Sequence, residues 1–272
     1  MKMKRFGAIA VAALALAMVF ALAGCSSSSS SGSDEATEAA DYTLVTEGTL
    51  TIGTSPDYPP FENLEDGEYV GFDIALGEAL AEELGLEAEF QTLQFDGILT
   101  AVAAGGQVDV GISGISSDPE RAKTVDFSNA YYIDDQAVAA MSDGDFVDVD
   151  DIDEALNQED VVIAVQSGTT GETYVKEHYP NATVQPYGNS TDAFAAMQAG
   201  QADVVCTNKA VVEKMLAEAY DNAEIVKRVA TGEEYAIAIS QDNPELTAAI
   251  NEALATLSEN GTIDQLTAEY MG

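Results

Sequence analysis

Hydrophobic positions along the chain alternate between short apolar runs and helical spacing. Leu50-Thr51-Ile52 is a short run, stopped by Gly53 and the turn residues Pro56, Pro59 and Pro60. Leu76, Leu80 and Leu84 then recur at four-residue spacing between Asp73 and Gly85, which predicts a helix capped by Asp73. Glu89-Phe90 begins a second strand. Asp96 is predicted to cap a second helix, carrying Ile98, Leu99 and Val102 and closed by Gly105-Gly106. Val108, Val110 and Ile112 alternate as a strand does. This β-α-β-α-β order predicts a parallel sheet with helices on its faces.

The rhythm restarts after an acidic, irregular stretch at 142–160. Residues 161–165 are continuously apolar, as in a strand buried on both faces. Gly168-Thr169-Thr170-Gly171 leads into a helix, Thr191 or Asp192 is predicted to cap another through Phe194 and Met197, and Val204-Val205-Cys206 is a further strand. Asn243 with Pro244 opens a last amphipathic helix through Leu246, Ile250, Leu254 and Leu257, stopped by Gly261. Two α/β units predict two lobes.

Ahead of these units the pattern is different. Lys2, Lys4 and Arg5 precede an apolar run over 6–23, which ends in Leu22-Ala23-Gly24-Cys25. That tetrapeptide resembles the lipobox of bacterial lipoproteins, in which the cysteine thiol receives diacylglycerol. A leader over 1–24 and a lipidated Cys25 are therefore expected, with a plain transmembrane anchor as the alternative. Ser26 to Ser31 is an unbroken serine tract, and 25–43 reads as a flexible tether to the membrane. Its length favours a cell surface over a periplasm.

Charge narrows the class of partner. The chain has 10 basic and 48 acidic residues, and loss of the leader would leave seven basic residues and a formal charge of −41. Such a surface repels phosphate backbones, which argues against nucleic acid. Once Cys25 is lipidated, Cys206 is the one remaining thiol, so no intrachain disulfide is expected and Cys206 reads as a small buried hydrophobe.

Basic side chains are scarce enough for their positions to be informative. Arg121 follows the strand ending near Ile112 and the polar loop from Ser113 to Glu120, at the carboxyl end of a parallel strand, where α/β sheets bind ligands. Its planar fork suits a carboxylate; the alternative is a surface ion pair. Gly168-Thr169-Thr170-Gly171 offers free amides at a helix N-terminus, although such turns are ordinarily caps, and no Gly-Lys-Ser/Thr follows to make a P-loop. Tyr58, Phe61 and Phe95 stand at loop starts, suited to gripping a small ligand or, for Phe61, to core packing.

Taken in order, these stretches resemble the extracellular solute-binding proteins of family 3, the receptors of polar amino-acid ABC importers. The resemblance rests on Gly53-Thr54-Ser55-Pro56-Asp57-Tyr58-Pro59-Pro60-Phe61, Gly71-Phe72-Asp73-Ile74, Phe95-Asp96-Gly97-Ile98, Asp109-Val110-Gly111-Ile112-Ser113-Gly114, Pro119-Glu120-Arg121 and Gly168-Thr169-Thr170. It implies an α/β, two-lobed periplasmic-binding-protein-like fold of type II. Each lobe would be a mixed, mainly parallel sheet flanked by helices, with lobe 1 at 44–136 and 236–272 and lobe 2 at 137–235. Two hinge crossings are expected near 136–140 and 233–236.

The resemblance also implies a site. Arg121 would clasp the ligand α-carboxylate with the Ser116 and Thr170 amides, beside Thr169. The Gly114 carbonyl and Ser116 hydroxyl would accept from the α-amino group, and Tyr58 and Phe95 would sandwich the side chain. Asn208 stands where the family has an aspartate for the ligand ammonium; Ser117 and Asp118 also depart from the family pattern. The implied protein is a monomeric, lipid-anchored receptor for an amino-acid-like solute, serving an ABC permease and needing no cofactor or metal. The alternatives are a cyclohexadienyl or arogenate dehydratase-like enzyme on the same fold, or a ligand-sensing module. Against an enzyme stand the single His178, in a polar surface-like stretch, and the lack of metal-ligand spacing or a nucleophile elbow.

Overall fold

The computed structural model describes residues 42–272, so the expected leader, Cys25 and most of the tether lie outside the described residues. The first part of the chain forms β1 (Thr49–Thr54), β2 (Asp57–Tyr58), β3 (Glu62–Glu65), β4 (Glu68–Val70), α1 (Phe72–Glu83), β5 (Glu87–Thr92), α2 (Phe95–Ala104), β6 (Val110–Gly111) and β7 (Asp126–Phe127). There follow β8 (Tyr132–Met141), α3 (Ile152–Leu156), β9 (Val162–Gln166), α4 (Thr170–His178), β10 (Thr183–Tyr187), α5 (Ser190–Gln198), β11 (Val204–Asn208), α6 (Lys209–Glu218) and β12 (Ala223–Tyr235). The chain ends in β13 (Ala238–Ile239), α7 (Pro244–Glu259) and α8 (Thr262–Tyr270).

Two five-stranded sheets organise these elements, in the orders β5-β1-β6-β13-β7 and β10-β9-β11-β8-β12. In the first, β5, β1 and β6 run parallel and β13 is antiparallel to β6 and β7. In the second, β10, β9 and β11 run parallel, while β8 is antiparallel to both β11 and β12. Helices α1 and α2 pack on the first sheet, and α4, α5 and α6 on the second. The apolar runs explain this layering: β1 is buried from Leu50 to Thr54 and β9 from Ile163 to Gln166, so both need cover on two faces. Gly111 admits the close approach of α2, since a Cβ there would stand 2.7 Å from Ile98. This is the two-lobed, type II fold expected from the sequence, with both sheets mixed.

The chain passes from the first sheet to the second between Phe127 and Tyr132, and returns between Tyr235 and Ala238. The expected boundary at 136/137 falls inside β8, and that at 235/236 at the end of β12.

Several local expectations need correction. Asp73 and Asp96 do not cap their helices: the caps are Gly71 and Gln94, and neither acid bonds to the helix amides. Both carboxylates are instead committed to partners in other elements, Asp73 to Gly114 and Tyr131 and Asp96 to Ser167. The helix predicted to start at Thr191 or Asp192 starts at Ser190 behind Asn189. Asn243 occupies the cap position, but its amide bonds the backbone of Thr43 in place of the helix. The stretch 142–160 is not wholly irregular, because Asp151 caps α3 through the Asp153 and Glu154 amides.

Candidate functional site

The loop 112–121 leaves β6 at its carboxyl end, and Gly114 makes the turn that the loop requires. Its φ is +54°, and a Cβ would meet the Tyr58 ring at 3.2 Å. Its N–H donates to the Asp73 carboxylate at 2.6 Å. Ser117 N donates to the Glu234 carbonyl, and Ala236 N to that of Ile115, so the loop is laced to the end of β12.

Arg121 opens a short 3₁₀ turn and points back under this loop. Its side chain is only 12% exposed. Nη1 donates to the Ser116 carbonyl at 2.7 Å, Nη2 to the Gly168 carbonyl at 2.9 Å, and Nε pairs with Asp118 at 3.2 Å. A guanidinium carries five N–H groups, so one remains on each terminal nitrogen, the pair that grips a carboxylate bidentately. Phe95 lies 5.7 Å from the guanidinium carbon, face toward it. Burial lowers the Arg121 pKa, and Asp118 and Glu233 oppose that shift.

From the second sheet, β9 delivers Gly168-Thr169-Thr170 to the same place. Gly168 has φ +78°, and a Cβ there would stand 2.8 Å from Asp96. Thr169 is buried and serves as the cap of α4, with its hydroxyl accepting from Glu172 N and donating to the Gln166 carbonyl. Thr170, by contrast, turns its hydroxyl to Glu233 at 2.6 Å. Asn208, buried at the end of β11, accepts from the Tyr58 hydroxyl at 2.6 Å and directs Nδ2 to Glu233 at 3.4 Å.

Of the eight residues expected at the site, Gly114 shapes the loop after β6 and Thr169 caps α4, and the other six, with Phe61 beside them, divide as follows. Ser116, Arg121, Thr170 and Asn208 converge through direct bonds or a shared partner, and Phe95 covers Arg121. Tyr58 is 5% exposed, bonded to Thr207 and Asn208 and lying on Gly114, so it ties β2, part of a small three-stranded sheet with β3 and β4, to the end of β11 as well as facing the loop. Phe61 is fully buried among Phe72, Tyr132 and Tyr235, as core packing requires.

Sequence reasoning passed over two side chains at the centre of this arrangement. Glu233 accepts from Ser116 Oγ at 2.5 Å, Thr170 Oγ1 at 2.6 Å and Gln136 Nε2 at 2.8 Å. Both lie on strands whose hinge positions were expected, but their chemistry was not read. A fully buried glutamine opening the apolar run 137–141, and a glutamate after Gly232, were the available signals. Asp57 on β2 makes a further contact, to the start of α5, accepting from Ser190 N and Ser190 Oγ at 2.5 Å each, through its carboxylate and its carbonyl respectively. Burial raises its pKa, against hydrogen bonds from Ser55, Ser190 and Gln166.

Beside Arg121 a cavity of about 460 Å³ is lined by Gly168, Thr170, Thr173, Tyr174, Thr231 and Glu233, among others. Among the described residues, no cluster of three or more His, Cys, Asp or Glu side chains could hold a metal, and no helix is long and apolar enough to cross a membrane.

A nearly buried arginine at the junction of two mixed α/β sheets joined by two crossings fits the type II binding-protein class. The chain belongs to the bacterial extracellular solute-binding proteins, family 3, whose pattern it matches over residues 50–272. It is 31% identical over 229 residues to the arginine-binding extracellular protein ArtP of Bacillus subtilis (strain 168), covering 81% of this chain and 85% of that protein. Among solved structures it is similar to an ancestral arginine-binding protein bound to arginine, with 34% identity, a TM-score of 0.77 and coverage of 83% of this chain and 99% of that one. It is also similar to the ancestral amino acid-binding protein AncCDT-1, a precursor of cyclohexadienyl dehydratase, at 36% identity and a TM-score of 0.76 over 83% of this chain and 96% of that one.

Proposed function

We propose that this protein is a lipid-anchored extracytoplasmic receptor that closes on an amino acid and presents it to an ABC importer, without catalysing a reaction. The observation that carries the reading is Arg121. A nearly buried guanidinium, rooted in the loop after β6, bonds across to Gly168 at the N-terminus of α4 and keeps two N–H groups for a carboxylate. The α-carboxylate would lie between that fork and the free amides of Thr170 and its neighbours, aided by the α4 dipole. Phe95 and Tyr58 are proposed to bound the side-chain pocket. The arginine-binding relative and the arginine-bound ancestral structure favour an α-amino acid as the class.

The proposed lobes are 44–136 with 236–272, and 137–235. Bonds between residues of the two proposed lobes run through Asp57–Ser190, Asp96–Ser167, Arg121–Gly168 and Tyr58–Asn208, the pattern of a closed arrangement. A ligand that touches both lobes would shift the population toward that form. Titration with the twenty standard L-α-amino acids, followed by small-angle scattering, tests this. At least one should bind and reduce the radius of gyration; unaltered scattering at saturation would replace closure by a rigid pocket.

The dehydratase alternative has one favouring observation, the likeness to a dehydratase precursor. That precursor is itself described as an amino acid-binding protein, so the likeness supports the receptor equally. Turnover of arogenate or prephenate would reinstate the enzyme.

The anchor is proposed from the sequence alone. Cys25→Ser should move the protein from the membrane fraction to the soluble one. Retention on the membrane would leave the apolar run 6–23 as the anchor.

A further inference from the structure

Asn208 and Glu233 divide between them a task for which one carboxylate suffices. On the basis of the amino-acid reading above, we propose that Glu233 supplies the negative charge that pairs with the ligand ammonium, and that Asn208 positions it.

The orientation of the Asn208 amide is the first argument. The Tyr58 hydroxyl is buried and places its proton on Asn208 Oδ1 at 2.6 Å, which turns Nδ2 toward the cleft. An amide NH2 and an ammonium are both donors only, so Asn208 in this orientation opposes an ammonium and suits an anion. The anion it meets is Glu233, at 3.4 Å.

The second argument is convergence. Donors from four separate segments fix one carboxylate: Ser116 after β6, Gln136 on β8, Thr170 at the start of α4 and Asn208 at the end of β11. The β12 backbone is shaped to deliver it, because the β8–β12 register shifts between Val229 and Glu233. Gly232 within that irregularity has φ +59° and donates to Asp135, which sets the turn into Glu233. A glutamate needed only for solubility does not require such a cradle.

Charge completes the case. A zwitterionic amino acid brings one carboxylate and one ammonium, and Arg121 answers the first. Asp118 is engaged by Arg121 Nε, which leaves Glu233 as the carboxylate bonded to both Ser116 and Thr170 at the cleft. The two hydroxyls are rotors: each can donate to Glu233 while its lone pairs accept from the ammonium. The negative charge that Asn208 does not carry is thereby supplied from the hinge strand.

The test uses the full chain in detergent micelles and whichever standard L-α-amino acid raises the melting temperature most, beside its deaminated analogue. Wild type should prefer the amino acid over the analogue by roughly thirtyfold or more, and Glu233→Gln should weaken amino-acid binding by a similar factor. Adding Asn208→Asp to Glu233→Gln should return affinity to within about fivefold of wild type, a rescue that a merely structural glutamate would not allow. The proposal fails if Glu233→Gln binds within threefold of wild type, or if the double variant is no better than the single one. Should Glu233→Gln not fold, equal binding of amino acid and analogue by wild type also overturns it. Absence of any amino-acid binding by wild type would overturn the receptor reading itself.

Discussion

Arg121→Ala is expected to weaken amino-acid binding by roughly 30- to several thousand-fold, equivalent to about 2–5 kcal/mol, with the fold retained. The size follows from where the side chain sits. A guanidinium that is 12% exposed meets a carboxylate with little intervening water, so the charge-assisted pair is worth more than a surface bridge. On the proposed reading, removing it also strands the ligand's carboxylate in a cleft where, among the described residues, no other basic side chain bonds to the site. The fold should survive because the 3₁₀ turn contributes no buried residue to either sheet, and the Ser116 and Gly168 carbonyls that lose a donor lie at the cleft, where water can replace it. Arg121→Lys should fall between the two, keeping charge but losing the fork. Calorimetric titration decides: an affinity within threefold of wild type would mean that the anion site lies elsewhere.

The sequence was most legible where burial alone sets the pattern. The continuous apolar run at 161–165, the short strand stretch Leu50-Thr51-Ile52 and the helical spacing of Leu76, Leu80 and Leu84 each mark a real element, because buried faces demand mainly apolar residues. The long pair β8 and β12 was not read as strands. Their sequences mix Asp134, Asp135, Lys227 and Arg228 with alanine and valine, and β12, at the edge of the second sheet, is only partly covered, so neither shows a plain strand pattern. Ionic positions misled in the same way. Asp73 and Asp96 stand where helix caps stand in sequence, yet tertiary partners 41 and 71 positions away claim them. At the candidate site, the half proposed to hold an anion was visible because arginine is rare in this chain. The acidic half was hidden, because one glutamate among 48 acidic residues carries no signal until β12 is seen to kink at Gly232.

Asp73→Ala should destabilise the protein by about 3–5 kcal/mol, the largest effect expected of any single carboxylate here. Asp73 and Glu62 are both fully buried. Asp73 Oδ2 accepts from Gly114 N at 2.6 Å and from the Tyr131 hydroxyl at 2.8 Å; Glu62 accepts from Ser113 Oγ at 2.6 Å. Their remaining oxygens, Glu62 Oε2 and Asp73 Oδ1, have no other partner among the described residues, which fits a proton held between the two carboxyls. Burial pushes Glu62 well above its usual range, helped by the charge of Asp73, and burial raises Asp73 to about 6 despite its hydrogen bonds. Alanine at 73 would leave two buried donors unpaired, at about 1–3 kcal/mol each, and free the loop that holds Ser116. Asp73→Asn keeps an acceptor and gains a donor toward Glu62, so it should cost much less. The sign of the pH dependence follows from the raised values. The native pair holds a proton that the unfolded chain releases near pH 4, so this contribution is complete below that pH and is lost as pH rises through the native values. Denaturant midpoints measured from pH 4.5 to 8 should therefore fall with pH in wild type and fall less steeply in Glu62→Gln, which cannot titrate there. A Glu62→Gln slope equal to that of wild type would place the proton elsewhere, and an Asp73→Ala cost below about 1 kcal/mol would show that the loop does not depend on this pair.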